Sequence, residues 1–142
     1  MILTSDQIRK ELKDIWRDLQ FIWPTNPTWP AMPDDLFPEV IEHCSVKHMV
    51  FTPGFWECEN YAYRWMSNVE VYIYELFKAG KYKLKTRPLA GACIGLQSDI
   101  FGNVGTHGLD IVRLESGWVL FEPQTDVVTR DFYSYIPFHI KF

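Results

Sequence analysis

Three residues of this chain have the types that thiol-based acyl transfer requires: a nucleophile, a base and a carboxylate to orient the base. Cys58 follows Pro53-Gly54-Phe55-Trp56-Glu57, a chain breaker and then bulky residues, and stands in the first turn of a long segment of helical period. The unsatisfied amides and the positive end of the dipole at a helix start favour a thiolate there. The competing reading of a cysteine is a small buried hydrophobe. That reading is the better one for Cys44, at a helix end, and for Cys93, inside a strand.

A thiol needs a base, and the chain offers His43, His48, His107 and His139. His107 stands apart because it opens a strand after the glycine-rich run Gly102-Asn103-Val104-Gly105-Thr106. Small residues there leave room for a substrate, so Gly105, together with Trp56 beside the cysteine, is expected to contact it. The alternative for His107 is a histidine that merely caps a strand end. The hairpin that follows turns at Glu115-Ser116 and returns to Glu122-Pro123-Gln124-Thr125. If Glu115 and Ser116 form a two-residue loop, Leu114 pairs with Gly117 and Glu122 falls opposite Leu109. His107 and Glu122 then share a face as diagonal neighbours. A carboxylate so placed can orient the imidazole and stabilise its protonated form, whereas a bystander would sit in solvent.

These residues depend on the elements that carry them. Residues 5–21 place Ile8, Leu12, Ile15, Trp16 and Leu19 on one helical face, with Ser5 as N-cap. Pro24, Pro27, Pro30 and Pro33 recur at every third position and impose an extended, polyproline-like stretch. Trp23 and Trp29 within it are expected to pin the loop to the core. A short helix is expected from Asp34 to Cys44, with Pro38 in its first turn, and a brief strand over Val46–Thr52. The longest helix runs from Trp56 to Lys78 and stops at Gly80. Beyond Pro88 the period becomes two, giving strands at Leu89–Gln97, Thr106–Leu114, Gly117–Phe121 and Tyr135–Lys141. Gly91 and Gly95 inside the first of these predict close approach of another backbone. Helices followed by an antiparallel sheet make an α+β chain.

Composition narrows the function classes. A chain of 142 residues, 47% apolar and 23% charged, has the size of one domain with a real core. We therefore expect one domain over 1–142, with a helical and Pro-rich part at 1–52 and the long helix plus sheet at 53–142. The net charge of −4 argues against a nucleic-acid partner. The basic cluster Lys78, Lys81, Lys83, Lys85 and Arg87 reads as a solvated loop. No apolar run approaches the ~20 residues of a membrane span, and no signal peptide is visible, so a cytoplasmic protein is the default expectation. Three cysteines without a secretion signal point to reduced thiols, and their spacing matches no zinc site.

Cys58-Glu59-Asn60-Tyr61-Ala62 at a helix start, a strand-initial His107 and Phe121-Glu122-Pro123-Gln124-Thr125 together resemble the papain-like C-terminal domain of a fungal agglutinin and its relatives. The match covers residues from about 53 to 128, and its most specific part is the Glu-Pro-Gln-Thr segment. The resemblance implies a papain-like cysteine peptidase with Cys58 as nucleophile, His107 as base and Glu122 as orienting group. It also implies a calcium site near Glu59, Asn60 and Gln124, all oxygen donors, although Asn60 stands where the family carries a second acid. Three functions follow as expectations. The first is a cysteine peptidase or related amide hydrolase acting on a peptide or protein, as a monomer or homo-oligomer. The second is a transglutaminase-like acyltransferase using the same thiolate. The third is a non-enzymatic binding protein on the same shell, with the Trp23–Trp29 loop as its contact surface.

Overall fold

The computed structural model describes residues 1–54, 57–98 and 104–142. It is α+β: three helices, α1 (Ser5–Ile15), α2 (Phe37–Cys44) and α3 (Cys58–Lys78), and eight strands. The strands are β1 (Ile2–Thr4), β2 (Phe21–Trp23), β3 (Thr28–Pro30), β4 (Ala90–Ser98), β5 (Val104–Leu114), β6 (Gly117–Glu122), β7 (Val127–Thr129) and β8 (Tyr135–Lys141). β1 and β3 form a small antiparallel pair, and the rest make a six-stranded sheet in the order β2-β8-β4-β5-β6-β7.

The sheet separates two apolar clusters, and strict alternation along β5 and β6 explains why. Leu109, Ile111, Trp118 and Leu120 face the cluster that contains Ile8 and Leu12 of α1. Val112, Leu114, Val119 and Phe121 face the cluster formed with α2 and α3. In α3, Tyr61, Trp65, Val69 and Ile73 recur at helical spacing and are buried against that second face. The helix stops where Gly80 takes φ +73°, a conformation that costs a β-carbon-bearing residue energy.

Several local expectations give way to tertiary contacts. α1 is capped by Thr4 rather than Ser5, with Gln7 completing a capping box. It ends at Ile15, not near residue 21, because Trp16 turns extended and its indole N–H donates to the carbonyls of Phe132 and Tyr135. Phe21–Trp23 instead pair in parallel with β8, so the sheet is mixed rather than purely antiparallel. The proline-rich stretch supplies strands β2 and β3 at its ends rather than one continuous polyproline helix. Trp29 is buried in it as expected, but Trp23 is exposed and stacks on Phe21. α2 begins at Phe37, after a turn over 34–36. The strand expected over Val46–Thr52 does not form: Met49 N–H donates to the Val46 carbonyl in a turn, and within the segment only Thr52 takes part in a β-bridge.

β4 lies between β5 and β8, and Gly95 sits where the β4–β8 register slips by one residue. A β-carbon there would come within 2.2 Å of the Ile136 carbonyl oxygen and 2.5 Å of Pro137 Cα. Both are backbone atoms and cannot swing aside. Gly95→Ala should therefore lower stability by about 3 kcal/mol in urea denaturation, the upper part of the overpacking range. Gly54→Ala, at φ +78° but in open space, should cost only about 1 kcal/mol.

Candidate active site

The two-residue turn at Glu115-Ser116 fixes the geometry, since Leu114 pairs with Gly117 and the ladder runs back to Asp110 opposite Phe121. One step further on, Glu122 comes to the diagonal position on the same face as His107. Its carboxylate Oε2 is hydrogen bonded to His107 Nε2. The other carboxylate oxygen accepts the Gln124 backbone N–H at 3.0 Å. Both oxygens are thus held, and only 3% of Glu122 and 8% of His107 remain exposed. His107 does not open its strand, as the sequence suggests; β5 begins three residues earlier, at Val104.

Cys58 is the first residue of α3. The helix start is built by Asn60, whose Oδ1 accepts the Glu57 N–H at 3.1 Å, and by Glu57, whose carboxylate accepts the Gly54 N–H at 3.0 Å. A β-carbon on Gly108 would lie 3.0 Å from both Cα and N of Glu59, so the first turn rests directly on the β5 backbone next to His107. That contact brings the partly buried Cys58 thiol into hydrogen-bonding contact with the imidazole. Nε2 is taken by Glu122, which leaves Nδ1 for the thiol. The thiol also lies 3.4 Å from Glu59 Oε2.

Electrostatics follow from these contacts. Burial disfavours the imidazolium, but hydrogen bonds to Cys58 and Glu122 and their charges outweigh it and push His107 up to about 9. The other two thiols are separated from this chemistry. Burial pushes Cys44 up to about 12, and burial likewise raises Cys93 far above the usual thiol range.

Other expected site residues fall out differently. Gly105 takes φ +126° at the half-buried start of β5, with nothing within 4 Å of where a side chain would begin, so open space adjoins it. Trp56 lies outside the described residues, as do residues 99–103 of the loop before β5. Of the oxygen donors named for calcium, Asn60 Oδ1 accepts the Glu57 N–H at the helix start and Glu59 Oε2 lies beside the Cys58 thiol. Sequence reasoning missed Asp110, fully buried with both oxygens lacking a hydrogen-bond partner among the described residues. Burial first, and then the charge of Glu122, hold it protonated. Its signal was an acid between Leu109 and Ile111 in an otherwise apolar strand.

No family model matches the chain, and no curated protein matches it in sequence. Solved structures do match it. One, described as a complex of PSL1a with E64, superposes with a TM-score of 0.77 at 14% identity, over 99% of this chain and 50% of the other. A second is Polyporus squamosus lectin bound to the human-type influenza-binding epitope Neu5Acα2-6Galβ1-4GlcNAc, with a TM-score of 0.76 at 14% identity, over 99% and 49%. The fold is shared with half of a fungal lectin chain. At this identity the likeness carries the fold alone. It fits the agglutinin side of the sequence resemblance, and the second structure is named as a lectin, not as a peptidase.

The raised His107 makes a pH prediction. Its folded value lies above its unfolded one near 6.5, so the stabilisation is complete below that pH and is lost as pH rises through about 9. Stability should fall by roughly 3 kcal/mol across this window. Glu122→Gln keeps the shape but removes the charge, and should flatten the fall in urea titrations at stepped pH.

Proposed function

We propose that the chain is a cysteine hydrolase of amide bonds, with Cys58 as nucleophile, His107 as acid and base, and Glu122 as the group that orients and charges the imidazole. The single observation behind this reading is the buried His107–Glu122 pair in contact with a thiol at a helix N-terminus. In the reaction, the Cys58 sulfur attacks the scissile carbonyl and the His107 imidazolium gives its proton to the departing amine. Water then attacks the thioester, losing its proton to His107 and releasing the acid and the free thiol. The Cys58 backbone N–H, at the first turn of the helix, is suited to donate to the oxyanion. A peptide is the substrate class that the open backbone around Gly105 suits. On this reading the shell is papain-like. One structural neighbour is described with E64, an epoxide, and epoxides alkylate thiolates.

A second reading has support of its own. Both structural neighbours come from lectin chains, and one is described with a sialylated trisaccharide, which favours a non-enzymatic binding protein on the same fold. This chain spans about half of each neighbour's length, so sugar binding by the whole protein is carried over only as this alternative.

Thiol labelling separates the two. Cys58 should react with E64 or iodoacetamide at neutral pH at least ~100-fold faster than Cys44 and Cys93, followed by mass spectrometry of tryptic peptides. Cys58→Ala and His107→Ala should each abolish peptide cleavage without unfolding the protein, and the double variant should be no worse than either. Labelling of Cys58 no faster than that of the two buried thiols would leave the binding reading in possession.

A further inference from the structure

The Tyr135 ring is fully buried, and its hydroxyl donates to the His107 carbonyl oxygen at 2.9 Å. This contact is unusual in its route. Tyr135 belongs to β8, which is separated from β5 by β4, so the side chain must cross a whole strand to reach it. The β4 residue opposite His107 is Gly95, and the space where its side chain would stand is taken by the Ile136 and Pro137 backbone of β8, so β8 lies close against β4 there. The same stretch holds the bulge: Ile94 pairs with His139, whereas Gly95 pairs with Pro137, so Phe138 is the extra residue.

The bulge has a consequence for side-chain direction. Tyr135 and Ile140 are five residues apart and in a regular strand would face opposite sides of the sheet. Both are instead buried in the cluster that contains Leu109 and Ile111. The extra residue switches the phase of β8 and lets Tyr135 point under His107 while Ile140 still packs in the core. Bulges beside sites commonly re-aim a side chain in this way. The strand end is held from behind as well, since the Trp16 indole donates to the Tyr135 carbonyl at 2.8 Å.

Resting on the hydrolase reading above, we propose that Tyr135 is a positioning residue for His107, aimed across β4 by the β8 bulge, and that its hydroxyl sets where β5 presents the imidazole between Cys58 and Glu122. The hydroxyl is a donor at any working pH, because burial first, and then the neighbouring Cys93, hold it protonated. Cys58 from α3 and Glu122 from β6 are the groups whose charges act on the imidazole itself. Tyr135, kept protonated, carries no charge of its own. It acts by fixing the backbone to which the imidazole is attached.

Tyr135→Phe keeps the ring and removes only the donor. Two readouts apply to the full chain: the midpoint of the His107 ring-proton titration by NMR, and the rate of Cys58 alkylation by iodoacetamide. The variant should lower the midpoint by about half a pH unit or more and slow alkylation at neutral pH about threefold, as the hydrogen bonds to Glu122 and Cys58 loosen. Ile140→Val, buried on the far side of the bulge, serves as the control. It should lose comparable stability yet leave both readouts at wild-type values. A Tyr135→Phe protein that melts lower but titrates His107 at the wild-type midpoint would overturn the proposal. If wild-type Cys58 proves unreactive, the hydrolase reading fails, and the midpoint comparison still decides for or against Tyr135.

Discussion

The first turn of α3 rests on the bare backbone of Gly108, and the candidate site depends on that contact. With Glu59 Cα and N 3.0 Å from where a β-carbon would stand, any larger residue at 108 would push the helix start away from the strand. The helix cannot easily compensate by tilting, because Trp65, Val69 and Ile73 seat its length in the sheet's second cluster. A short-range backbone approach therefore fixes a long-range relation between Cys58 and His107. The distance between thiol and base is then set by packing of the whole helix rather than by the two side chains.

The carboxylate side of the site is held by a different device. Glu122 closes a ladder started by a tight turn, and both of its oxygens have partners, so a buried charge is matched by hydrogen bonds on each side. Burial alone would drive the imidazole neutral. The neighbouring thiol and carboxylate reverse this and keep the proton on the ring across neutral pH. Three residues along the same strand, the low dielectric acts without opposition on Asp110, which stays protonated. Two ionisable residues three apart on one strand thus take opposite states, and the difference lies in the partners that each face of the sheet supplies.

The geometry and the likeness to known folds bear on function from different directions. The geometry speaks for thiol chemistry, because a base, its orienting acid and a thiol at a helix N-terminus come together with little exposed surface. The likeness shows a fold shared with half of a fungal lectin chain, and the lectin name belongs to that whole chain. Fold does not carry function by itself, so the side chains gathered at Cys58, His107 and Glu122 weigh more in the proposal.

Much of the site was legible in the residues. The two-residue turn at Glu115-Ser116 and the period of two determine that His107 and Glu122 share a face, because alternation leaves only one parity once the turn length is fixed. The helical period and Gly80 determine where the long helix stops, and Gly95 announces a close backbone. Tertiary structure decided the rest. Phe21–Trp23 became a parallel edge strand instead of the end of α1, because pairing with β8 satisfies its backbone and no local signal encodes a partner more than a hundred residues away. The seat of Cys58 on Gly108 and the reach of Tyr135 across β4 were likewise invisible. The first rests on a glycine's empty space facing a particular element and the second on a bulge in β8, and sequence records neither what fills the gap nor where the register slips.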